Sequence, residues 1–226
     1  MSGKTLVIGD THGCFDELQA LLDTVPLTAD DRIIHIGDMI DRGPHPEAVT
    51  DFFMSTPQAT SIMGNREDKH IRAYDGELSY EGAREMTRQQ FSSPEAYATA
   101  VEYMRTLPLY IDLPEATLVH GYFEPGVPLA QQQRNVLLGH TDGDLHLEAQ
   151  GFVPFYEHYA GEKPLVFGHR EYPFLQYQRR AYAIDTRCVY GGTLTGLLLP
   201  DFKIYGIPAR EDHWMTLQAR FPHIPG

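Results

Sequence analysis

Over the first third of the chain, short apolar runs alternate with helical patterns. Thr5 to Ile8, Arg32 to Ile36 and Ala59 to Met63 read as three buried strands. The spacing changes between them. Phe15 to Val25 sets Leu18, Leu21, Leu22 and Val25 three and four positions apart, which places them on one helical face. Pro46 to Met54 reads as a helix with its proline near the start, where the missing N–H costs nothing. Arg66 to Tyr74 reads as a third helix. Strands alternating with helices imply right-handed βαβ units on a parallel sheet.

Gly76 to Leu107 breaks this rhythm. It is polar and helix-favouring, with a break at Ser92 to Pro94, and it predicts an inserted helical cap. The strand pattern returns at Leu109 to Asp112, Thr117 to His120, Leu165 to Phe167 and Ala181 to Ile184. Thr193 to Leu199 and Lys203 to Ile207 flank Pro200-Asp201, a hairpin signal. The second half therefore predicts a second, partly antiparallel sheet in an α/β fold.

With 226 residues, the chain suits a single domain spanning 1–226 with a small insert. The formal net charge of −13, with no Lys/Arg run, argues against nucleic acid as a partner. No stretch of 18 apolar residues is present, so no membrane span is expected. The N-terminal segment lacks the apolar core and cleavage site of a secretion signal. Cys14 and Cys188 are far apart in sequence and form no CxxC pair. A reducing cytoplasm is the expected location, and Cys188 is expected to be a packed thiol.

Five short motifs follow predicted strands: GDTHG (Gly9 to Gly13), GDMIDRG (Gly37 to Gly43), GNRED (Gly64 to Asp68), VHG (Val119 to Gly121) and FGH (Phe167 to His169). In open α/β sheets the ligand crevice lies at the carboxyl ends of the strands, so the motifs should converge there. Their donors are Asp10, His12, Asp38, Asn65, His120 and His169. Carboxylate, imidazole and amide oxygen together suit manganese, iron or zinc rather than calcium. One carboxylate, Asp38, can bridge two ions about 3.5–4 Å apart, an arrangement that clamps an in-line displacement at phosphorus. Arg42, four residues on, can fork onto phosphoryl oxygens. A competing Gly139-His140 pair lies in a polar, turn-rich segment, whereas His169 ends an apolar strand run, so His169 is the preferred donor.

The series resembles the calcineurin-like metallophosphoesterase superfamily, whose pattern is GDxHG, GDxxDRG, GNHE, a HAG-like element and GH. It is most similar to the phosphoprotein phosphatases and the bacterial diadenosine tetraphosphate hydrolases. The motifs cover Gly9 to His169, and Ile184 to Leu199 resembles the segment that follows GH in the tetraphosphatase-like members. The resemblance implies a four-layer α/β/β/α sandwich and a phosphate ester or phosphoanhydride as substrate, cleaved by a metal-bound hydroxide. It implies two divalent ions, manganese foremost, with iron, zinc, cobalt or nickel as alternatives. Asp10, His12 and the bridging Asp38 would hold one ion, and Asp38, Asn65, His120 and His169 the other. Arg42 would bind phosphate, and Asp41 would orient the residue matching the family's catalytic histidine. The substrate would be a dinucleoside polyphosphate, a nucleotide or a phosphoprotein.

Two positions depart from the pattern. GNHE is GNRE here, so Arg66 replaces the histidine that would protonate the leaving group. An arginine cannot give up a proton near neutral pH, although it can bind substrate, stabilise charge and pair with Asp41. Three readings follow. The substrate has a good leaving group, or water or His70 supplies the proton, or the protein is a metal-binding pseudophosphatase that holds a phosphorylated ligand. The HAG-like element is VHGYF, which puts Tyr122 and Phe123 where a ring could stack on a base or pack in the core.

Overall fold

The computed structural model describes residues 3–172, 176–178 and 180–225. The first half runs β1 (Thr5–Ile8), α1 (Phe15–Thr24), β2 (Arg32–His35), α2 (Pro46–Ser55), β3 (Ala59–Ser61), α3 (Asn65–Tyr74), α4 (Ala83–Arg88) and α5 (Pro94–Arg105). It continues with β4 (Tyr110–Asp112), β5 (Thr117–Val119), α6 (Arg134–Leu137), α7 (Thr141–Ala149), β6 (Leu165–Phe167), β7 (Gln176–Gln178) and β8 (Ala181–Ala183). The chain closes with β9 (Asp185–Thr186), β10 (Thr193–Leu199), β11 (Lys203–Pro208) and α8 (His213–Arg220).

Two sheets result. One has the order β11-β10-β1-β2-β3, with β9 beside β10, and the other β4-β5-β6-β8-β7. β1, β2 and β3 are parallel, as the βαβ pattern requires, and β10 joins β1 antiparallel with Thr5 opposite Leu199. In the second sheet β5, β6 and β8 are parallel and the outer strands antiparallel. Alternation along β1 then divides the core. Leu6 and Ile8 face Leu18 and Leu21 of α1, while Val7 faces the other way, among Leu118, Val166 and Leu197 between the sheets. Beyond the second sheet, Val136, Leu137 and Leu147 of α6 and α7 pack with Val119, Leu165 and Phe167. These are the four layers of an α/β/β/α sandwich.

The insert is helical. The apolar positions Tyr97, Ala100, Val101 and Met104 of α5 fall at helical spacing and are buried in the same cluster as α1 and β1. The insert thus packs into the main core and forms part of the wall of the site.

Candidate active site

The motif loops leave β1, β2, β3, β5 and β6 at their carboxyl ends, and the six expected donors meet there. Two groups of side chains have ligand atoms close enough for one ion each: Asp10, His12 and Asp38, and Asp38, His120 and His169. Asp38 belongs to both. Its Oδ2 lies 3.7 Å from His12 Nε2 and its Oδ1 lies 3.3 Å from His120 Nε2. Asn65 opens α3 beside them. His140 does not join. It caps α7, with Nε2 3.2 Å from Asp68 Oδ2.

Three observations say that this arrangement fits cations. Asp10 Oδ1, Asn65 Oδ1 and His120 Nε2 are buried without a hydrogen-bond partner, a costly state unless something else ligates them. His12 Nδ1 lies 2.9 Å from the Ile40 carbonyl and His120 Nδ1 3.0 Å from that of Ile36. Donating there fixes the tautomer and frees Nε2 as a ligand. The pKa values tell the same story. Burial, then Asp185 and Asp38, pushes Asp10 well above the usual range, and burial pushes Asp185 up to about 7. Burial, then Arg42, lowers His12 to about 4, so its imidazole is neutral and ready to ligate. Bound divalent ions reverse the repulsion between the carboxylates.

The loops are held in shapes that few side chains adopt. His12, Asp38, Asp41, Arg42 and His169 all have positive φ, between 46° and 71°. Such conformations persist only where surrounding bonds fix them. Glu67 does this for Asp38, because its carboxylate accepts the N–H groups of Asp38, Met39 and Gly64, each at 2.8 Å. Gly139, with φ +70°, lets the α6–α7 turn lie on the His169 ring, since a Cβ there would sit 2.7 Å from Cδ2.

Arg66 stands between two carboxylates, with Nε 3.8 Å from Asp38 Oδ2 and Nη1 3.7 Å from Asp41 Oδ2. Burial opposes its charge, but Asp41 and Asp38 more than compensate, so it stays a cation. His70 is fully buried behind Asp41. Its Nε2 lies 2.7 Å from Asp41 Oδ1 and its Nδ1 2.8 Å from the Tyr97 hydroxyl, so both ring nitrogens are engaged away from the donors. Thr87 also donates to Asp41 Oδ1, at 3.0 Å. Of the readings offered for the missing acid, proton supply by His70 does not fit this geometry, which holds both of its ring nitrogens elsewhere. Arg42 meets Glu171 at 3.3 Å and lies over the Tyr190 ring. The ring of Tyr122 is hemmed in by Phe155, His169 and Arg170, and its hydroxyl is 3.2 Å from His169 Nε2. Phe123 packs edge-on against Tyr159. A cleft of about 440 Å³ opens beside the donors, lined by Asn65, Lys69, Tyr122, His140, Asp142 and His169, among others.

The sequence profile of the calcineurin-like phosphoesterases matches residues 3–187. The chain belongs to that family. This calcineurin-like phosphoesterase is a hydrolase that depends on divalent metal ions. It is 28% identical over 245 residues to the asymmetrical bis(5'-nucleosyl)-tetraphosphatase PrpE of Halalkalibacterium halodurans, with 97% of this chain and 98% of that protein covered. It is 29% identical over 234 residues to the enzyme of that name from Bacillus cereus, with 90% and 93% covered. Among solved structures, a candidate diadenosine tetraphosphatase superposes with a TM-score of 0.74 at 24% identity, covering 92% of this chain and 95% of that one. A serine/threonine phosphatase of Saccharomyces cerevisiae shares the fold with a TM-score of 0.63 at 15% identity, covering 93% and 81%.

Sequence reasoning left two residues of this phosphoesterase without a role. Glu67 lies inside the motif that supplies Asn65 and Arg66. Asp185 follows β8, carries an unpartnered Oδ2 and presses its charge on Asp10. An acidic residue directly after a strand, in Ile184-Asp185-Thr186-Arg187, is the signal that marks it. No helix of the described residues is long and apolar enough to cross a membrane.

Proposed function

We propose that the chain hydrolyses a phosphoanhydride of the dinucleoside polyphosphate class at a pair of divalent ions, manganese foremost. Asp10, His12 and Asp38 would hold one ion, and Asp38, Asn65, His120 and His169 the other. When bound, the ions supply an activated water and neutralise charge on the phosphoryl oxygens. The protein's own groups do the rest. Arg42 and Arg66 grip and stabilise the phosphoryl oxygens, with Asp41 orienting Arg66. The Lys69 side chain lines the cleft and makes no ion pair or hydrogen bond among the described residues, leaving its charge for a phosphate chain. Two buried, unpaired cysteines agree with a reducing, cytoplasmic setting.

The observation that carries this reading is Arg66, a fixed cation where leaving-group protonation would otherwise come from. An anhydride releases a stable anion and needs no acid. The names of relatives matched over nearly their full length support the same class. No observation favours the binding-only alternative. The test is a panel of dinucleoside tetraphosphates, nucleotides and phosphoserine peptides, each with manganese, iron, zinc, cobalt or nickel. Anhydrides should lead phosphoserine in kcat/KM by a factor on the order of 10² or more, the scale of a missing general acid. A preference for phosphoserine peptides would overturn the proposal.

A further inference from the structure

A second cluster of donors lies outside the site just described. Cys14, Glu17 and His213 are all buried, and one ligand atom of each lies within 4.8 Å of the others. Cys14 caps α1 and Glu17 lies in its first turn, while His213 is the first residue of α8, so the cluster ties the two ends of the chain together. Glu17 Oε1 accepts from the Arg210 N–H at 3.0 Å and lies 2.9 Å from His213 Nε2. Glu17 Oε2 is buried with no hydrogen-bond partner, in a residue only 2% exposed. A hydrogen-bonded Glu–His pair accounts for Oε1 but not for an orphaned oxygen beside a thiol. The Cys14 thiol makes one long contact, 4.0 Å to the His12 carbonyl, and Cys188 is buried in the same core cluster.

We infer that Cys14, Glu17 and His213 form a site for a zinc-like divalent ion with three protein donors, distinct from the catalytic pair. Thiolate, imidazole and carboxylate are zinc donors, and in a tetrahedral site they stand roughly 3.3–3.7 Å apart, so closing on an ion takes a shift of about an ångström. One thiolate and one carboxylate cancel the ion's charge, which suits an apolar core. The supporting groups are in place, because the Arg210 N–H holds the carboxylate and His213 Nδ1 faces Glu211 Oε1 at 3.9 Å. Binding releases the thiol proton to solvent, and the proton that His213 Nε2 shares with Glu17 leaves that nitrogen, to solvent from a protonated ring or to Nδ1, which faces Glu211, in a neutral one. The ion would pin α8 to the loop that carries Asp10 and His12.

Cobalt separates this site from the catalytic one, since the catalytic donors contain no sulfur. The full-length protein, kept reduced and loaded with cobalt(II), should show a thiolate-to-cobalt charge-transfer band. Cys14→Ser should abolish the band, and His213→Ala should weaken or abolish it. Zinc loading should give one more ion per chain in the parent than in Cys14→Ser, with circular dichroism showing both folded. If the folded parent shows no thiolate band, or Cys14→Ser keeps the same zinc count, the site does not exist.

Discussion

At position 66 an arginine stands where a proton donor would be, and its neighbours hold it charged. Asp41 and Asp38 lie 3.7 and 3.8 Å from its guanidinium nitrogens. That geometry converts an acid–base position into a charge clamp. Replacing Arg66 with His should restore a protonatable group next to Asp41. Phosphoserine-peptide hydrolysis should then rise far more than anhydride hydrolysis, towards the 10²–10⁴-fold that general acids typically contribute. Equal gains on both substrates would mean that Arg66 is a general impediment. Arg42 differs, because its ion pair with Glu171 is partly exposed and exchangeable. If it serves the transition state, Arg42→Ala should lower kcat and kcat/KM together, by about 10²-fold or more, as lost charge-stabilising donors do. A rise in KM with kcat untouched would place it in ground-state binding alone.

At the scale of elements, the strands and motif loops were legible because each motif follows a short apolar run and strand ends are where α/β sheets place ligands. Asp10, His12, Asp38, Asn65, His120 and His169 could be picked from those runs. What surrounds them could not. Thr87 and Tyr97 reach the Asp41–His70 pair from an insert whose polar composition says nothing of that contact. α6 and α7 went unread because their buried positions are Val136, Leu137, Gly143 and Leu147, with only three large apolar side chains among them, too few to set a helical period. They are held by Asp68 of α3, which accepts from Arg134 at 2.7 Å and faces His140 at 3.2 Å. Burial raises the Asp68 pKa, but His140 and Arg134 more than offset this and leave it below the usual value. A depressed carboxylate contributes stability above its unfolded pKa of about 3.9, lost as pH falls through the lower folded value. Asp68→Asn should therefore destabilise the protein at pH 7 by about 1 kcal/mol after allowing for solvent screening. Denaturant melts should show that difference shrinking below about pH 4. A constant difference from pH 7 to 3 would mean that the charge of Asp68 is irrelevant to the anchor.

At the scale of the whole molecule, the donors come from both halves of the sandwich. Asp10, His12, Asp38 and Asn65 follow strands of the first sheet, while His120 and His169 follow strands of the second. Burial pushes Asp10 up, and repulsion from Asp185 and Asp38 at this seam pushes it further. A pair of divalent ions would turn that repulsion into a cross-link between the sheets, so metal binding should appear in global stability as well as in activity. An ion present at a hundredfold excess over its dissociation constant stabilises the folded state by about 2.7 kcal/mol. For a chain of this size each kcal/mol moves Tm by about 2–4 °C, so removing one ion with a chelator should lower Tm by roughly 5–10 °C. Returning manganese should restore it. Asp38→Asn should respond much less to added manganese, because that carboxylate belongs to both donor groups. Burial opposes the Asp38 charge, but His120, His12 and Arg66 more than offset this, so the variant's metal-free Tm should fall below that of the metal-free parent. If the parent melts at one temperature with and without metal while its activity still requires metal, the sheets are held by the apolar layer of Val7, Ile34, Leu118 and Val166 alone. The ions would then have no part in joining the two halves.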